Sequence, residues 1–181
     1  MEYKSSTMET LVNKSFWVGK NVLITGHTGF KGSWLTLWLT SLGANVFGYS
    51  LYPESDMSLF NNLKFNENLI STFNDIRNLK CLKDFVQQSN PDVIFHMAAQ
   101  PLVRYSYQYP IETYATNLMG TVHVLEAIRR CGNVKAALMV TTDKCYENKE
   151  WIWGYRETEP MGGYDPYSNS KGCAELAVSS Y

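Results

Sequence analysis

Val22-Leu23-Ile24-Thr25 is a short apolar run that ends in a glycine-rich turn. Such a run fits a strand buried on both faces of a parallel sheet. After the turn, Trp34, Leu35, Trp38, Leu39 and Leu42 recur at helical spacing. They predict an amphipathic helix over 33–42, which Gly43 stops. The pattern then alternates. Strands are predicted over 45–49, 69–73, 93–97 and 136–141. Helices are predicted over 79–88, with Leu79, Leu82, Phe85 and Val86 on one side, and over 111–130. This alternation predicts an α/β fold, a doubly wound parallel Rossmann sheet with right-handed crossovers. Residues 147–163 break the periodicity and read as a long loop near a site. The helical pattern that opens after Pro166 runs to Tyr181, so the sheet is expected to be incomplete at its carboxyl end and a substrate-binding part to be absent. Residues 1–15 read as a polar extension and 16–181 as one domain.

Composition narrows the classes. The chain has 181 residues, with a formal net charge of −1. That balance gives no reason to expect nucleic-acid or anionic-membrane binding. The apolar run Trp34 to Leu42 is too short to span a bilayer. The four cysteines have neither metal-ligand spacing nor a disulfide framework. Reduced thiols in a cytoplasmic protein and no metal centre are expected.

Candidate chemistry begins at Gly26-His27-Thr28-Gly29-Phe30-Lys31-Gly32, where glycines recur as G-x-x-G-x-x-G. The first permits a tight turn, the second lets backbone approach a pyrophosphate, and the third allows close helix–strand contact. The helix start then offers free N–H groups to phosphate. At the end of the second strand, Gly48-Tyr49-Ser50-Leu51-Tyr52 carries neither an acid for ribose hydroxyls nor a base for a 2′-phosphate, and NAD is favoured over NADP. Asp75 and Ile76, after the third strand, are candidates for adenine contact, with Asp75 equally suited to a turn. Ala98, Ala99 and Gln100 are small or polar residues placed over the expected cofactor. His27 is read as facing phosphate or solvent, and His123 as packing or surface.

Further on, Tyr167 and Lys171 form Y-x-x-x-K behind a favourable N-cap, Asp165, and a first-turn proline, Pro166. The two side chains share one helix face. A lysine ammonium there stabilises a phenolate, so Tyr167 can take a proton from a hydroxyl. Thr142, at the end of the strand before, lies where parallel sheets bind ligands.

These motifs together resemble the extended short-chain dehydrogenase/reductases (the NAD-dependent epimerase/dehydratase family). Residues 26–34, 96–104, 142–146 and 151–157 are more particularly similar to the CDP-glucose 4,6-dehydratases, enzymes of deoxysugar and lipopolysaccharide O-antigen biosynthesis. The resemblance implies a homodimer that binds NAD and CDP-glucose. It also implies a hydro-lyase reaction in three steps. Tyr167 deprotonates the sugar 4-hydroxyl as hydride leaves C4, water is lost across C5 and C6, and hydride returns to C6. Asp143 suits the elimination acid if a desolvated pocket keeps it protonated. Lys144 stands where the related dTDP-glucose dehydratases carry Glu. It is expected to be the C5 base or to hold the water that is, with an ion pair to Asp143 as the alternative. Asn117 falls at a structural asparagine of the family, Arg104 is a candidate for the substrate diphosphate, and Cys145 is read as a small buried residue. Two rivals remain: a 4-epimerase of the same fold, which needs no elimination acid and base, and a non-catalytic dinucleotide-binding protein or inactive fragment.

Overall fold

The computed structural model describes residues 13–53 and 55–181. Most of the expected polar extension, residues 1–12, lies outside the described residues. Among the described residues, five strands form one sheet: β1 (Asn21–Thr25), β2 (Asn45–Ser50), β3 (Leu69–Phe73), β4 (Val93–His96) and β5 (Ala136–Met139). Their order is β3-β2-β1-β4-β5, and every neighbouring pair is parallel. Eight α-helices accompany them among the described residues: α1 (Lys14–Trp17), α2 (Phe30–Ser41), α3 (Leu59–Asn62), α4 (Leu79–Ser89), α5 (Val103–Gln108), α6 (Pro110–Tyr114), α7 (Gly120–Arg130) and α8 (Pro166–Ser180). This is the doubly wound fold the alternation predicts. Its topological switch lies between β1 and β4, where Thr25 and His96 are register partners.

Successive residues of a strand face opposite sides of the sheet, so β1 feeds two cores. Leu23 packs with Tyr49, Ile94, Leu82, Phe85, Val86 and Val124, beneath α4 and α7. Val22 and Ile24 pack with Val46, Ala44 and Leu39 of α2. Each fully buried aliphatic side chain contributes roughly 1.5–3 kcal/mol, enough to fix which residues of β1 face which helices.

The helix after the glycine turn differs from the expected amphipathic one. Its buried face is Gly32, Ser33, Thr36, Leu39 and Thr40, whereas Trp34 and Trp38 are 50% and 52% exposed. Small residues let α2 approach the glycine turn closely. Indole rings have no room there and turn outward, on the side where Leu138 of β5 is also exposed.

The predicted helix over 111–130 begins at Pro110 and is not regular. Ala115–Met119 is a π turn between α6 and α7, with the Gly120 N–H reaching the carbonyl of Ala115. The wider turn swings the residues within it relative to a regular helix, and its buried residue is Asn117. β4 and β5 end one and two residues earlier than their apolar runs. Met97, Thr141 and Thr142 therefore stand beyond the strand ends, at the carboxyl edge of the sheet, the edge where parallel sheets take ligands.

Candidate active site

The glycine turn opens directly from β1. Gly26 has φ +74°, a left-handed conformation, and a Cβ added there would meet the backbone N of Ala98 at 2.7 Å. A Cβ at Gly32 would run into the Gly26 carbonyl and the His27 backbone. Only hydrogen in place of a side chain lets α2 start this close to β1 and to the segment after β4. Gly29 is the N-cap of α2 and supplies no side-chain cap, so the helix start is open to an anion. Phe30 and Lys31 are exposed beside it. Thr28 donates a hydrogen bond to the Leu51 carbonyl at 3.0 Å and takes one from the Ser50 hydroxyl at 2.7 Å. Two hydroxyls thereby mark the end of β2, where no acid or base stands.

His27 meets neither phosphate nor solvent, contrary to the expectation. It is fully buried, with Nε2 3.0 Å from the Ser71 hydroxyl and its ring against Phe60 and Phe73. Gly48 leaves the space the ring occupies. Burial pushes its pKa down to about 4. Leu23, Ile24 and Thr25 are buried ahead of it in β1, and the turn at Gly26 directs the imidazole back toward β2 and β3.

A hydrogen-bonded chain runs through the interior at the switch point. Thr25 Oγ1 accepts from the N–H groups of Met97 and Ala98 at 3.1 and 3.2 Å and donates to His96 Nδ1 at 2.7 Å. His96 Nε2 donates to Thr121 Oγ1 at 3.1 Å, whose own proton goes to the Asn117 carbonyl at 2.6 Å. This pattern assigns a neutral His96 with its proton on Nε2. Burial, with the Lys171 charge adding, pushes its pKa down to about 3. The Asn117 side chain accepts from Gln100 N–H at 2.8 Å, donates to the Gln100 carbonyl at 3.1 Å and donates to Ser170 at 3.0 Å. Asn117 thus clips the segment Ala98-Ala99-Gln100 to α8.

α8 begins as expected. Asp165 accepts from Ser168 N–H at 2.9 Å and from the Ser168 hydroxyl at 2.6 Å, and Pro166 occupies the first turn. A second cap comes from another element: Ser106 of α5, fully buried, accepts from the Tyr167 N–H at 3.1 Å. Tyr114 donates to Asn169 at 2.7 Å. Lys171 is 5% exposed. Its Nζ donates to the Val140 carbonyl at 3.1 Å, tying α8 to the end of β5, next to Thr141-Thr142. Burial lowers the Lys171 pKa to about 8, opposed by the charge of Glu175.

Thr142 caps a one-turn 3-10 helix, Asp143–Cys145, through Lys144 N–H at 3.3 Å, and its hydroxyl donates to Asp143 at 3.1 Å. Asp143 and Lys144 are both exposed, and the described residues include no ion pair between them. The desolvated pocket expected around Asp143 is not formed by the described residues: the 3-10 turn packs on α8 through its buried Cys145 and leaves Asp143 on the exposed side. Cys145 is 2% exposed and burial pushes its thiol pKa up, which fits a packing residue. The loop after it is anchored at both ends, Glu147 N–H to the Pro160 carbonyl at 2.9 Å and Gly162 N–H to the Cys145 carbonyl at 2.8 Å. Within it Tyr146 stacks on Tyr155 at 5.5 Å and Trp151 leans on Tyr155 at 5.6 Å.

Asp75 is held by Arg77, whose Nη2 lies 2.6 Å from one carboxylate oxygen. The guanidinium keeps this carboxyl below the usual range. Ile76 is buried against Gly120. His123 lies 3.1 Å from the Ile76 carbonyl, a packing role. Arg104 is exposed on α5. All four cysteines are free thiols, and no described helix is long and apolar enough to cross a membrane. Ser106, Thr25, His96, Thr121 and Glu175 were not singled out by sequence reasoning. Of these, only Glu175, one helical turn beyond Lys171, had a readable signal.

A family model described as GDP-mannose 4,6 dehydratase matches residues 23–181. The chain belongs to this dehydratase family. Among its relatives, the CDP-glucose 4,6-dehydratase of Salmonella typhimurium is 58% identical over 94% of this chain and 48% of that protein. The GDP-mannose 4,6-dehydratase of Vibrio cholerae is 30% identical over 90% of this chain and 45% of that protein. The chain therefore spans about half the length of the curated dehydratases it matches. Among solved structures, the epimerase Mth375 of Methanothermobacter thermautotrophicus superposes with a TM-score of 0.82 at 27% identity, over 92% of this chain and 48% of that one. MoeE5 in complex with UDP-glucose and NAD superposes with a TM-score of 0.72 at 27% identity, over 88% of this chain and 48% of that one.

Proposed function

We propose that the complete protein is an NAD-dependent hydro-lyase that converts CDP-glucose to CDP-4-keto-6-deoxyglucose. The observation that carries this reading is the buried Lys171, one turn from Tyr167 on α8 and bonded to the Val140 carbonyl at 3.1 Å, with Thr142-Asp143-Lys144 following on the same strand end. The nucleotide is chosen on the 58% identity to the Salmonella CDP-glucose enzyme.

The chain fits a dinucleotide. Gly26 and Gly32 leave no room for a Cβ, and the start of α2 is open to a pyrophosphate. Gly26, Thr28, Gly29, Phe30, Lys31 and Gly32 would hold the phosphates. Asp75 and Ile76 would face the adenine, and Ala98, Ala99 and Gln100, positioned by Asn117, would lie along the ribose and nicotinamide. When bound, NAD would take hydride from the sugar C4, which makes the C5 proton acidic, and would give the same hydride back to C6 after water is lost, as C5 recovers a proton. Tyr167 takes the proton of the 4-hydroxyl, with the Lys171 ammonium stabilising the phenolate. Thr142 orients that hydroxyl. Asp143 gives its proton to the departing 6-hydroxyl, which leaves as water, and Lys144 takes the C5 proton or holds the water that does. Arg104 is placed to meet the substrate diphosphate.

The proposed oligomer is a homodimer through α5 to α8, where Tyr107, Ile111, Met119 and Leu176 are exposed. Light scattering of the complete protein at twice the monomer mass supports it; a monomer refutes it.

For the reaction, the complete protein is incubated with NAD and, separately, CDP-glucose, dTDP-glucose, UDP-glucose and GDP-mannose, and products are followed by NMR. A 4-keto-6-deoxy product from CDP-glucose alone supports both reaction and nucleotide. An epimerised hexose that keeps its 6-hydroxyl overturns the dehydratase reading and leaves Asp143 and Lys144 without that chemistry. NAD binding with no turnover points to a non-catalytic protein.

A further inference from the structure

α8 carries a third ionisable group beyond Tyr167 and Lys171. Glu175 lies one turn further along, partly buried, and accepts a hydrogen bond from the Thr141 hydroxyl. Lys171, one turn back, donates to the carbonyl of Val140. Two consecutive residues after β5 therefore grip two side chains of opposite charge on one helix face. A carboxylate and an ammonium at i and i+4 share a face, and at a partly buried site their attraction is little screened.

The surroundings of Lys171 leave its charge otherwise unbalanced. The hydrogen bond the structure gives its ammonium goes to a neutral carbonyl. His96 of β4 is neutral and buried, and Cys145 of the 3-10 turn is a buried thiol. Asp143 and Lys144 of that turn are exposed and opposite in sign. On the helices packed against α8, Glu112 takes the Tyr105 hydroxyl, Glu126 is bound by Arg129 and Arg130, Tyr114 is bonded to Asn169, and Arg104 is exposed. Asp165, six residues before Lys171, is spent on the cap of α8.

We infer that Glu175 is a positioning residue, the counter-charge that keeps Lys171 protonated, and that Thr141 holds it in place. This rests on the reading of Tyr167 and Lys171 as the proton-transfer pair. A buried lysine loses its proton more readily than a solvated one, because burial penalises the charged form. Burial has already brought Lys171 down to about 8, and the Glu175 charge is what opposes it. Without that charge the folded pKa falls further, and the ammonium that stabilises the phenolate is lost at lower pH.

The test uses the complete protein loaded with NAD, in the variants E175Q, E175D, T141V and K171M. E175Q keeps an acceptor for the Thr141 hydroxyl but removes the charge; T141V keeps the charge and removes the clamp. Two readouts are taken, the pH profile of kcat/KM on the nucleotide sugar that is turned over and a 13Cε-lysine NMR titration, with the Lys171 signal assigned by its loss in K171M. In E175Q the alkaline limb and the NMR midpoint are expected to move down by about one unit. Activity at pH 9 then falls about tenfold against wild type, and at pH 6.5 it changes by less than about twofold. E175D restores most of the shift, and T141V moves both readouts the same way by less. A uniform loss of rate with limb and midpoint unmoved overturns the inference. Should E175Q fail to fold, T141V decides, and an unmoved midpoint there counts against it. K171M separates the two levels. If it keeps the wild-type rate, the Tyr167–Lys171 reading fails. If it is inactive while E175Q titrates like wild type, that reading stands and this inference falls.

Discussion

The buried hydroxyl of Ser106 accepts a hydrogen bond from the backbone N–H of Tyr167 at 3.1 Å, so α5 caps the helix that carries the proposed proton acceptor. The same hydroxyl donates to Val103 at 2.7 Å. Ser106→Ala leaves the Tyr167 N–H without this partner. Stability in urea is expected to fall by about 1–2 kcal/mol, and kcat by several-fold with the KM for nucleotide sugar little changed. A variant with wild-type kcat would mean that Tyr167 does not need this cap.

Gly26→Ala puts a methyl group against the Ala98 backbone at a φ of +74°. A loss of at least about tenfold in NAD affinity is expected by calorimetry, with a stability cost of roughly 1–3 kcal/mol. Gly132→Ala is the control. Nothing lies within 4 Å of its added Cβ, and it should bind like wild type.

Asn117→Ala takes a partner from three groups at once: the N–H and carbonyl of Gln100, and the hydroxyl of Ser170, which keeps only its bond to the Tyr167 carbonyl. Asn117 is 1% exposed, so water cannot replace it freely. The expected cost is about 2–4 kcal/mol, read by thermal or urea unfolding. A cost under about 0.5 kcal/mol would show that the clip carries no weight.

Two buried histidines make stability depend on pH. Burial depresses the folded pKa of His27 to about 4 and of His96 to about 3. The unfolded chain, with histidine near 6.5, binds more protons between those values and pH 6.5. Stability from these rings is therefore fully present above about pH 6.5 and is lost as pH falls toward 4 and then 3. Each ring contributes a slope of up to about 1.4 kcal/mol per pH unit. Urea midpoints measured from pH 7.5 to 4.5 check this, and a flat profile would contradict the buried neutral rings.

Lys144→Met removes a base from the proposed elimination without touching the glycine turn. Dehydration is expected to fall by at least about a hundredfold with NAD affinity unchanged. A variant that still dehydrates at nearly the wild-type rate would end the catalytic role assigned to Lys144.

Much of this architecture was legible without a structure. The apolar run 22–25, the glycine spacing and the helical repeat over 79–88 are local patterns, and each depends only on residues a few positions apart. Asp165 and Pro166 announced the start of α8 for the same reason, because a capping carboxylate and the N–H it accepts from lie within one turn. The periodicity of Trp34 and Trp38 misled, since it reports which residues are apolar and not which face meets the sheet. There the glycine turn demanded small residues, and α2 turned Gly32, Ser33 and Thr36 inward. His27 misled similarly: a polar ring in a phosphate-binding motif found its space at Gly48, a contact across 21 residues.

The sequence by itself determined the alternation of the five strands with the helices over 33–42 and 79–88 and after Pro166, the glycine turn, and the placing of Tyr167 and Lys171 one helical turn apart, because these follow from short-range spacing. Only the tertiary structure decided that Ser106 caps Tyr167 and that a π turn brings Asn117 to Gln100 and Ser170. The same holds for the chain from Thr25 through His96 to Thr121, and for Thr141 and Val140 gripping Glu175 and Lys171. Each of these joins residues far apart in the chain through a buried polar group that must find a partner. Which partner it finds depends on how the elements pack around the β1–β4 switch, and no local pattern carries that information.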